Sequence, residues 1–184
     1  GAYPGISLIG TPGDDALQGT LGPDKIYGHQ GNDKLTAGQG NDVLDGGEGD
    51  DWLDGGAGRD VLSGGRGNDT LFGGDGEDVY LFGRGDGHDE IYGATDDVDP
   101  NDTIRFNANV SPSNVTVGRD GLLTVSNDGL NIITDYTRTG LSLTVSGGGD
   151  SITVREQFAS NFSTSGSLQS YVVGTVEFSD GTKW

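Results

Sequence analysis

The sequence has no cysteine and no methionine in 184 residues, two histidines, and only 10 lysines and arginines. Each shortage excludes something. Without cysteine there is no disulfide framework, no thiol nucleophile and no thiolate zinc site. The 29 aspartates and glutamates set against those 10 bases give a formal charge of −19. Nucleic acid and anionic membrane surfaces both repel such a polyanion. No apolar run reaches the ~18 residues of a membrane-spanning helix. The opening GAYPGISLIG lacks the basic n-region of a secretory signal. With no initiator methionine, the chain is expected to be a piece of a longer protein. Apolar residues make up 31%, which is thin for one large core. Low hydrophobicity with high net charge is a signature of disorder. Either the chain is disordered, or something neutralises the charge and holds it together, and the arrangement of the acids decides between these.

Glycine is abundant, at 36 residues, close to three times the usual ~7%. Written in nines from Gly10, the chain reads GTPGDDALQ, GTLGPDKIY, GHQGNDKLT, AGQGNDVLD, GGEGDDWLD, GGAGRDVLS, GGRGNDTLF, GGDGEDVYL. These eight units run without insertion to Leu81. The fourth position is always glycine (Gly13, Gly22, Gly31, Gly40, Gly49, Gly58, Gly67, Gly76) and the sixth always aspartate (Asp15, Asp24, Asp33, Asp42, Asp51, Asp60, Asp69, Asp78). The eighth is large and apolar: Leu17, Ile26, Leu35, Leu44, Leu53, Leu62, Leu71, Tyr80. The first is glycine except at Ala37, and the second is glycine only from the fourth unit on, after Thr11, Thr20 and His29. A flexible Gly/Asp linker has no reason to keep such a register.

Glycines at the first, second and fourth positions allow φ > 0, so six residues can form a tight arc. The remaining x-L-x has room for one short strand with one inward side chain. A single unit cannot bury its leucine, but stacked units form a thin continuous core between two parallel sheets. If the chain turns at every arc, two nonapeptides make one coil of 18 residues. Asp15, Asp33, Asp51 and Asp69 then line one edge and Asp24, Asp42, Asp60 and Asp78 the other. Neighbouring carboxylates are expected about one strand spacing apart, ~4.8 Å.

Rows of like charge this close need a counter-ion, because in a partly dry site they cost several kcal/mol apiece. Calcium takes 6–8 oxygens in irregular geometry, whereas magnesium demands an octahedron and keeps its waters. Zinc and copper prefer nitrogen or sulfur, which this segment barely has. Aspartate oxygens and the free carbonyls of the arcs, those of Gly31, Gly40, Gly49, Gly58, Gly67 and Gly76 among them, are the candidate ligands. From Gly10 to Leu81 there are 15 acids and 4 bases, a net of −11. Three gaps per edge would take six divalent ions, which nearly cancels it.

These units resemble the RTX nonapeptide GGxGxDxUx, where U is a large apolar residue. The resemblance implies an all-β fold: a right-handed parallel β-roll with calcium between its coils, over residues 10–92, after a leader of residues 1–9. It also implies a protein exported by a bacterial type I apparatus, with a C-terminal secretion signal and no cleaved leader. The β-carbons of Thr11, Thr20, His29 and Ala37 depart from the pattern. They would cost something where φ is positive, so the first arcs are expected to bind calcium more weakly or to fray.

The D-x-U pattern continues with Asp89-x-Ile91, placed to follow Asp69, and Asp102-x-Ile104, placed to follow Asp78. Together these raise the expected complement to about six to eight Ca2+. From Gly93 the pattern has period two, with short strands at Asp102–Phe106, Val115–Val117, Leu122–Val125, Leu141–Val145, Ser151–Arg155, Tyr171–Val173 and Thr175–Phe178. No helix is expected beyond a turn at Glu156–Asn161. SPSNVTVGRDG, LSLTVSGGGDSITVREQF and VEFSDGTKW resemble the flanking domain that follows such arrays, here with an extra segment, Leu122–Thr139, containing Asp135, Tyr136 and Arg138. Residues 93–184 are therefore expected to form a small antiparallel β cap over the open end of the solenoid.

No G-x-S-x-G or H-E-x-x-H occurs, and both His29 and His88 lie in arc positions, so no catalytic residue is assigned. The leading functional reading is a non-catalytic module, unfolded in calcium-poor cytosol and folding on calcium outside the cell. It would be a secreted or surface-attached, monomeric part of a larger toxin, enzyme or adhesin. Its partners would be calcium and, through the parent protein, the type I secretion apparatus, with neither nucleic acid nor membrane insertion. The alternative is a calcium-dependent recognition module for carbohydrate or peptide using Tyr27, Trp52, Phe72 and Tyr136, whose spacing makes no stripe.

Overall fold

The computed structural model describes residues 3–92, 102–119, 141–146, 149–155 and 175–184. The first ten strands are β1 (Ser7–Ile9), β2 (Ala16–Gln18), β3 (Lys25–Gln30), β4 (Lys34–Gln39), β5 (Val43–Glu48), β6 (Trp52–Ala57), β7 (Val61–Arg66), β8 (Thr70–Asp75), β9 (Val79–Phe82) and β10 (His88–Tyr92). Strands pair in parallel with the next but one: Lys25 stands opposite Val43, and Lys34 opposite Trp52. Partners are 18 residues apart, so one coil consumes two nonapeptides, as the arcs require. Odd-numbered and even-numbered strands form two separate sheets.

The middle strands, β3 to β8, are six residues long, not the three that x-L-x suggested. After the leucine the chain stays extended through the first three positions of the next arc. Gly38 pairs with Gly56 there, and Gln39 with Ala57. Two residues per strand therefore face inward, the leucine and the first-position residue, as with Leu44 and Gly46 in β5.

The core is the file of eighth-position side chains. Ile26, Leu35, Leu44, Leu53, Leu62, Leu71 and Tyr80 are all fully buried between the sheets. Each leucine contributes roughly 1.5–3 kcal/mol by leaving water, but only because the coils above and below cover it.

Glycine serves two distinct needs. From the fourth unit on, the second and fourth positions take φ > 0, from Gly38 (116°) and Gly40 (151°) to Gly74 (98°) and Gly76 (131°). First-position glycines do not. They are required by close approach, since a Cβ on Gly46 would press on the Oδ2 of Asp51 and the carbonyl of Gly64. Of the four departures from the pattern, only His29 has positive φ, 83°. The strain expected at Thr11, Thr20 and Ala37 is absent because their backbones avoid that region.

Beyond β10 the chain forms β11 (Thr103–Phe106), a 3₁₀ turn at Pro112–Asn114, β12 (Val115–Arg119), β13 (Leu141–Val145), β14 (Asp150–Arg155) and β15 (Thr175–Glu177). β11 and β15 prolong the odd sheet in parallel, with Ile104 between Tyr80 and Val176. β14 joins β10 in parallel, and β13 and β12 then add an antiparallel meander to the even sheet. Phe82, Phe106 and Phe178 continue the buried file, with centroid distances of 6.0 Å and 5.1 Å between neighbours, and Trp184 closes on Phe178 at 4.7 Å. The strands expected at Leu122–Val125 and Tyr171–Val173, the turn at Glu156–Asn161 and the segment Leu122–Thr139 lie outside the described residues.

Candidate metal centre

The sixth-position aspartates form two ladders at the arcs, one on each edge. On one, the backbone N–H groups of Asp15, Asp33, Asp51 and Asp69 donate to Oδ1 of Asp33, Asp51, Asp69 and Asp89, at 2.8, 2.7, 2.8 and 3.2 Å. On the other, those of Ile6, Asp24, Asp42, Asp60 and Asp78 donate to Oδ1 of Asp24, Asp42, Asp60, Asp78 and Asp102, at 2.7, 2.6, 2.8, 2.9 and 2.9 Å. The structure therefore divides the eight repeat aspartates between two edges and places Asp89 and Asp102 in line behind Asp69 and Asp78. From Asp24 to Asp102 the ladder aspartates are buried.

One oxygen of each carboxylate is thereby engaged. The Oδ2 atoms of Asp33, Asp42, Asp51, Asp60 and Asp69 are buried and accept no hydrogen bond. Burying a charged oxygen without a donor is costly, and here the arrangement repeats at successive coils. Three of these oxygens face a backbone carbonyl across the space that a first-position glycine leaves open. The Oδ2 of Asp33 and the carbonyl of Gly46 converge over Gly28. Asp51 and Gly64 converge over Gly46, and Asp60 and Gly73 over Gly55. These first-position carbonyls were not among the candidate ligands. The signal for them was the first-position glycine, present in seven of the eight units, which has no need of positive φ. The fourth-position glycines stack on one another, with the carbonyl of Gly31 against Gly49, Gly40 against Gly58, Gly49 against Gly67 and Gly58 against Gly76. At the array's end the Gly67 carbonyl accepts the His88 N–H at 3.2 Å.

Electrostatics agree with the geometry. Burial pushes Asp51 and Asp60 up to about 7, helped by the charges of the ladder neighbours, Asp69 and Asp33 for one and Asp78 and Asp42 for the other. Burial also raises Asp42, Asp69 and Asp89, the last with a further push from Asp69. Asp24 is the exception. Burial raises it, but hydrogen bonds from the Ile6 and Thr20 N–H groups and the Thr20 hydroxyl hold it below the ordinary value.

A second ladder, absent from the sequence reading, lies beside the first at position five. Asn32, Asp50 and Asn68 donate their N–H groups to Oδ1 of Asp14, Asn32 and Asp50 at 2.8, 2.9 and 2.8 Å. Its bonds point back along the stack, opposite to those of the aspartate ladder. The other edge has only Arg59 N–H to Asn41 Oδ1, at 3.0 Å, because the side chains of Pro23 and Arg59 offer no acceptor to the next coil's N–H. The preference for Asp or Asn at position five was the available sign.

Among the described residues no three acidic or histidine side chains converge on one point. A cation here would be held by pairs of carboxylates from successive coils together with backbone carbonyls. That donor set is all oxygen and irregular, and it fits calcium.

Outside the arcs, Trp52, Phe72 and Tyr92 form a contiguous row on the outer face of the even sheet, with centroids 5.2 and 5.1 Å apart and Lys34 Nζ 4.5 Å from the Trp52 ring centre. Sequence spacing hid this stripe because Trp52 meets Phe72 diagonally and Tyr92 follows the longer arc. The Phe72 and Tyr92 rings stack on each other. Tyr27 lines a groove of about 300 Å³ with His29, Asp45, Glu48, Arg66 and Asp86. His88 Nδ1 lies 2.7 Å from Ser151 Oγ, and Tyr136 is outside the described residues. No helix among the described residues is long and apolar enough to cross a membrane.

Comparison with known proteins bears on the same residues. The family described as RTX calcium-binding nonapeptide repeat matches residues 9–44 and 45–80, four copies each, and the haemolysin-type calcium binding protein related domain matches residues 141–184. Among solved structures, a subunit of the Azotobacter vinelandii mannuronan C5-epimerase is 26% identical, with 87% of each chain covered and a TM-score of 0.39. The extracellular lipase of Serratia marcescens is 17% identical, with 89% of this chain and 40% of the lipase covered and a TM-score of 0.33. No curated protein matches the chain. A β-roll of 18-residue coils with buried aspartate ladders in its arcs, over the residues that the repeat family matches, makes this chain an RTX haemolysin-type calcium-binding repeat module followed by the related C-terminal domain.

Proposed function

We propose that this module is a calcium-triggered folding unit: unfolded in calcium-poor cytosol, and folded once secretion by a type I apparatus delivers it outside the cell. The row of buried Oδ2 atoms without donors carries the reading. Without cations the folded array must bury these charges uncompensated. Its thin core, one leucine per strand, is a weak counterweight. With cations between successive carboxylates, binding confined to the folded state adds directly to stability.

In this reading about six to eight Ca2+ lie in the gaps between Asp15, Asp33, Asp51, Asp69 and Asp89 and between Asp24, Asp42, Asp60, Asp78 and Asp102. Carbonyls of the arc glycines complete the shells. Extracellular modules are tuned to roughly 10⁻⁴–10⁻³ M calcium, which sets the switch between compartments. Residues 10–92 act as the array and residues 93–184 as the cap that closes its core. The module works as a non-catalytic monomer, and any chemistry belongs to the rest of a larger extracellular protein.

Far-UV circular dichroism during a calcium titration from EGTA upward, with magnesium as control, tests this. A coil-to-β transition in calcium alone is the expected result. A full β spectrum in EGTA would overturn the switch.

A further inference from the structure

The arcs are of two kinds, and the residue at the second position separates them. In the third to seventh arcs that residue has positive φ: His29 (83°), Gly38 (116°), Gly47 (113°), Gly56 (100°) and Gly65 (99°). The aspartates of the same arcs, Asp33, Asp42, Asp51, Asp60 and Asp69, are those whose Oδ2 accepts no hydrogen bond. In the first two arcs the residue is threonine, outside the positive-φ region. There the carboxylate is satisfied from within. Thr11 donates both its N–H (2.5 Å) and its hydroxyl (2.9 Å) to Asp15 Oδ2. Thr20 donates its N–H (2.5 Å) and hydroxyl (3.0 Å) to Asp24 Oδ2.

The cause is local. A β-branched residue is a poor occupant of positive φ, whereas glycine takes it freely and histidine tolerates it better than most. With threonine the arc keeps negative φ, and the peptide N–H turns onto the carboxylate oxygen that elsewhere lacks a donor. The hydroxyl adds a second donor to the same oxygen.

We propose that Thr11 and Thr20 close the first gap on each edge to calcium, so that cations begin at the Asp33–Asp51 gap on one edge and the Asp42–Asp60 gap on the other. Two hydrogen-bond donors occupy the lone-pair side of Asp15 and Asp24 that a cation would need, and a donor N–H pointing into the gap repels a cation. The first coil is then a metal-free end cap made of hydrogen bonds, and two threonines set where the ion run starts. This rests on the calcium-array reading and narrows it: of the eight gaps between successive ladder aspartates it removes Asp15–Asp33 and Asp24–Asp42, which leaves six and takes Asp15 and Asp24 out of the binding set.

The test counts bound calcium per chain by equilibrium dialysis against radioactive Ca2+ at saturating concentration, on the full chain. Thr20→Gly is expected to bind one more ion than the unmodified chain, and Thr11→Gly/Thr20→Gly two more, with unchanged far-UV spectra in calcium. Asp24→Asn in the unmodified background is expected to lose no ion, whereas Asp60→Asn loses at least one. An unchanged count in both glycine variants, or loss of an ion in Asp24→Asn, would overturn the proposal while leaving the calcium array standing. Absence of bound calcium in every variant would remove the array reading and this proposal with it.

Discussion

The backbone N–H of Asp51 donates to the Oδ1 of Asp69, one coil further on, at 2.8 Å, and leaves the Oδ2 of Asp69 buried without a donor. One carboxylate thus does two jobs. An oxygen locks the register between coils through a bond that the backbone must make somewhere. The other projects into the gap between coils. On the proposed calcium reading, structural and cation-binding roles are separated by atom rather than by residue.

Asp51→Ala should therefore injure the array more than Asp15→Ala. It removes the acceptor of the Asp33 N–H, leaving a buried donor unsatisfied at a cost of about 1–3 kcal/mol, and it takes a carboxylate from two gaps. Asp15 lies at the end of its edge and contacts Thr11. The calcium midpoint for folding, read by circular dichroism, should rise several-fold for Asp51→Ala and little for Asp15→Ala. Equal shifts would contradict the two-edge arrangement.

Gly46→Ala should impair calcium-driven folding even though alanine is the smallest change. Its Cβ would meet the Asp51 carboxylate and the Gly64 carbonyl, and overpacking of this kind costs about 1–3 kcal/mol. Gly13→Ala is the matched control, because its Cβ meets nothing within 4 Å. Thermal melts in saturating calcium should separate the two. A Gly46→Ala chain as stable as Gly13→Ala would show that the gap between these coils is not a tight cradle.

With calcium withheld, acid should favour the fold. Asp51 and Asp60 are raised from 3.8 to about 7 by burial and by their ladder neighbours. The folded state thus holds protons that the unfolded state releases. That contribution is fully present below about pH 4 and is lost as pH rises through about 7. In EGTA the chain should show more β structure at pH 5 than at pH 8. The reverse order would mean that the aspartates are not buried in the calcium-free chain.

Phe106→Ala should uncouple the cap. Phe106 is fully buried between Phe82 and Phe178, and removing such a side chain typically costs about 3–5 kcal/mol. In saturating calcium the melting temperature should fall markedly, and the calcium midpoint should rise although no aspartate is touched. Unchanged folding would deny the flank its capping role.

The array was legible because its information is local and repeated. A period of nine with Gly at four, Asp at six and Leu at eight places every arc, edge and core residue once the coil of 18 is drawn. Even Asp89 and Asp102, outside the strict register, followed from D-x-U alone. Strand length was not legible, because the two glycines after each leucine suggest a turn, whereas pairing across coils keeps them extended. The role of the first glycine was not legible either, since a requirement set by the neighbouring coil's carbonyl leaves no mark in its own unit.

Sequence by itself thus determined the periodic part: the coil, the two sheets, the aspartate edges and the choice of an oxygen-seeking cation, all of which follow from spacing and from the chemistry of carboxylates. Only the tertiary structure decided what depends on contacts between coils or on a residue's backbone angles. It set Phe72 between Trp52 and Tyr92 and Phe106 between Phe82 and Phe178. It also turned Thr11 and Thr20 from blemishes in a glycine pattern into hydrogen-bond donors on Asp15 and Asp24. A repeat encodes what each unit does alike. Where units differ, the outcome rests on which conformation the substituted residue takes and which atom then lies opposite it, and that is settled only when the coils are stacked.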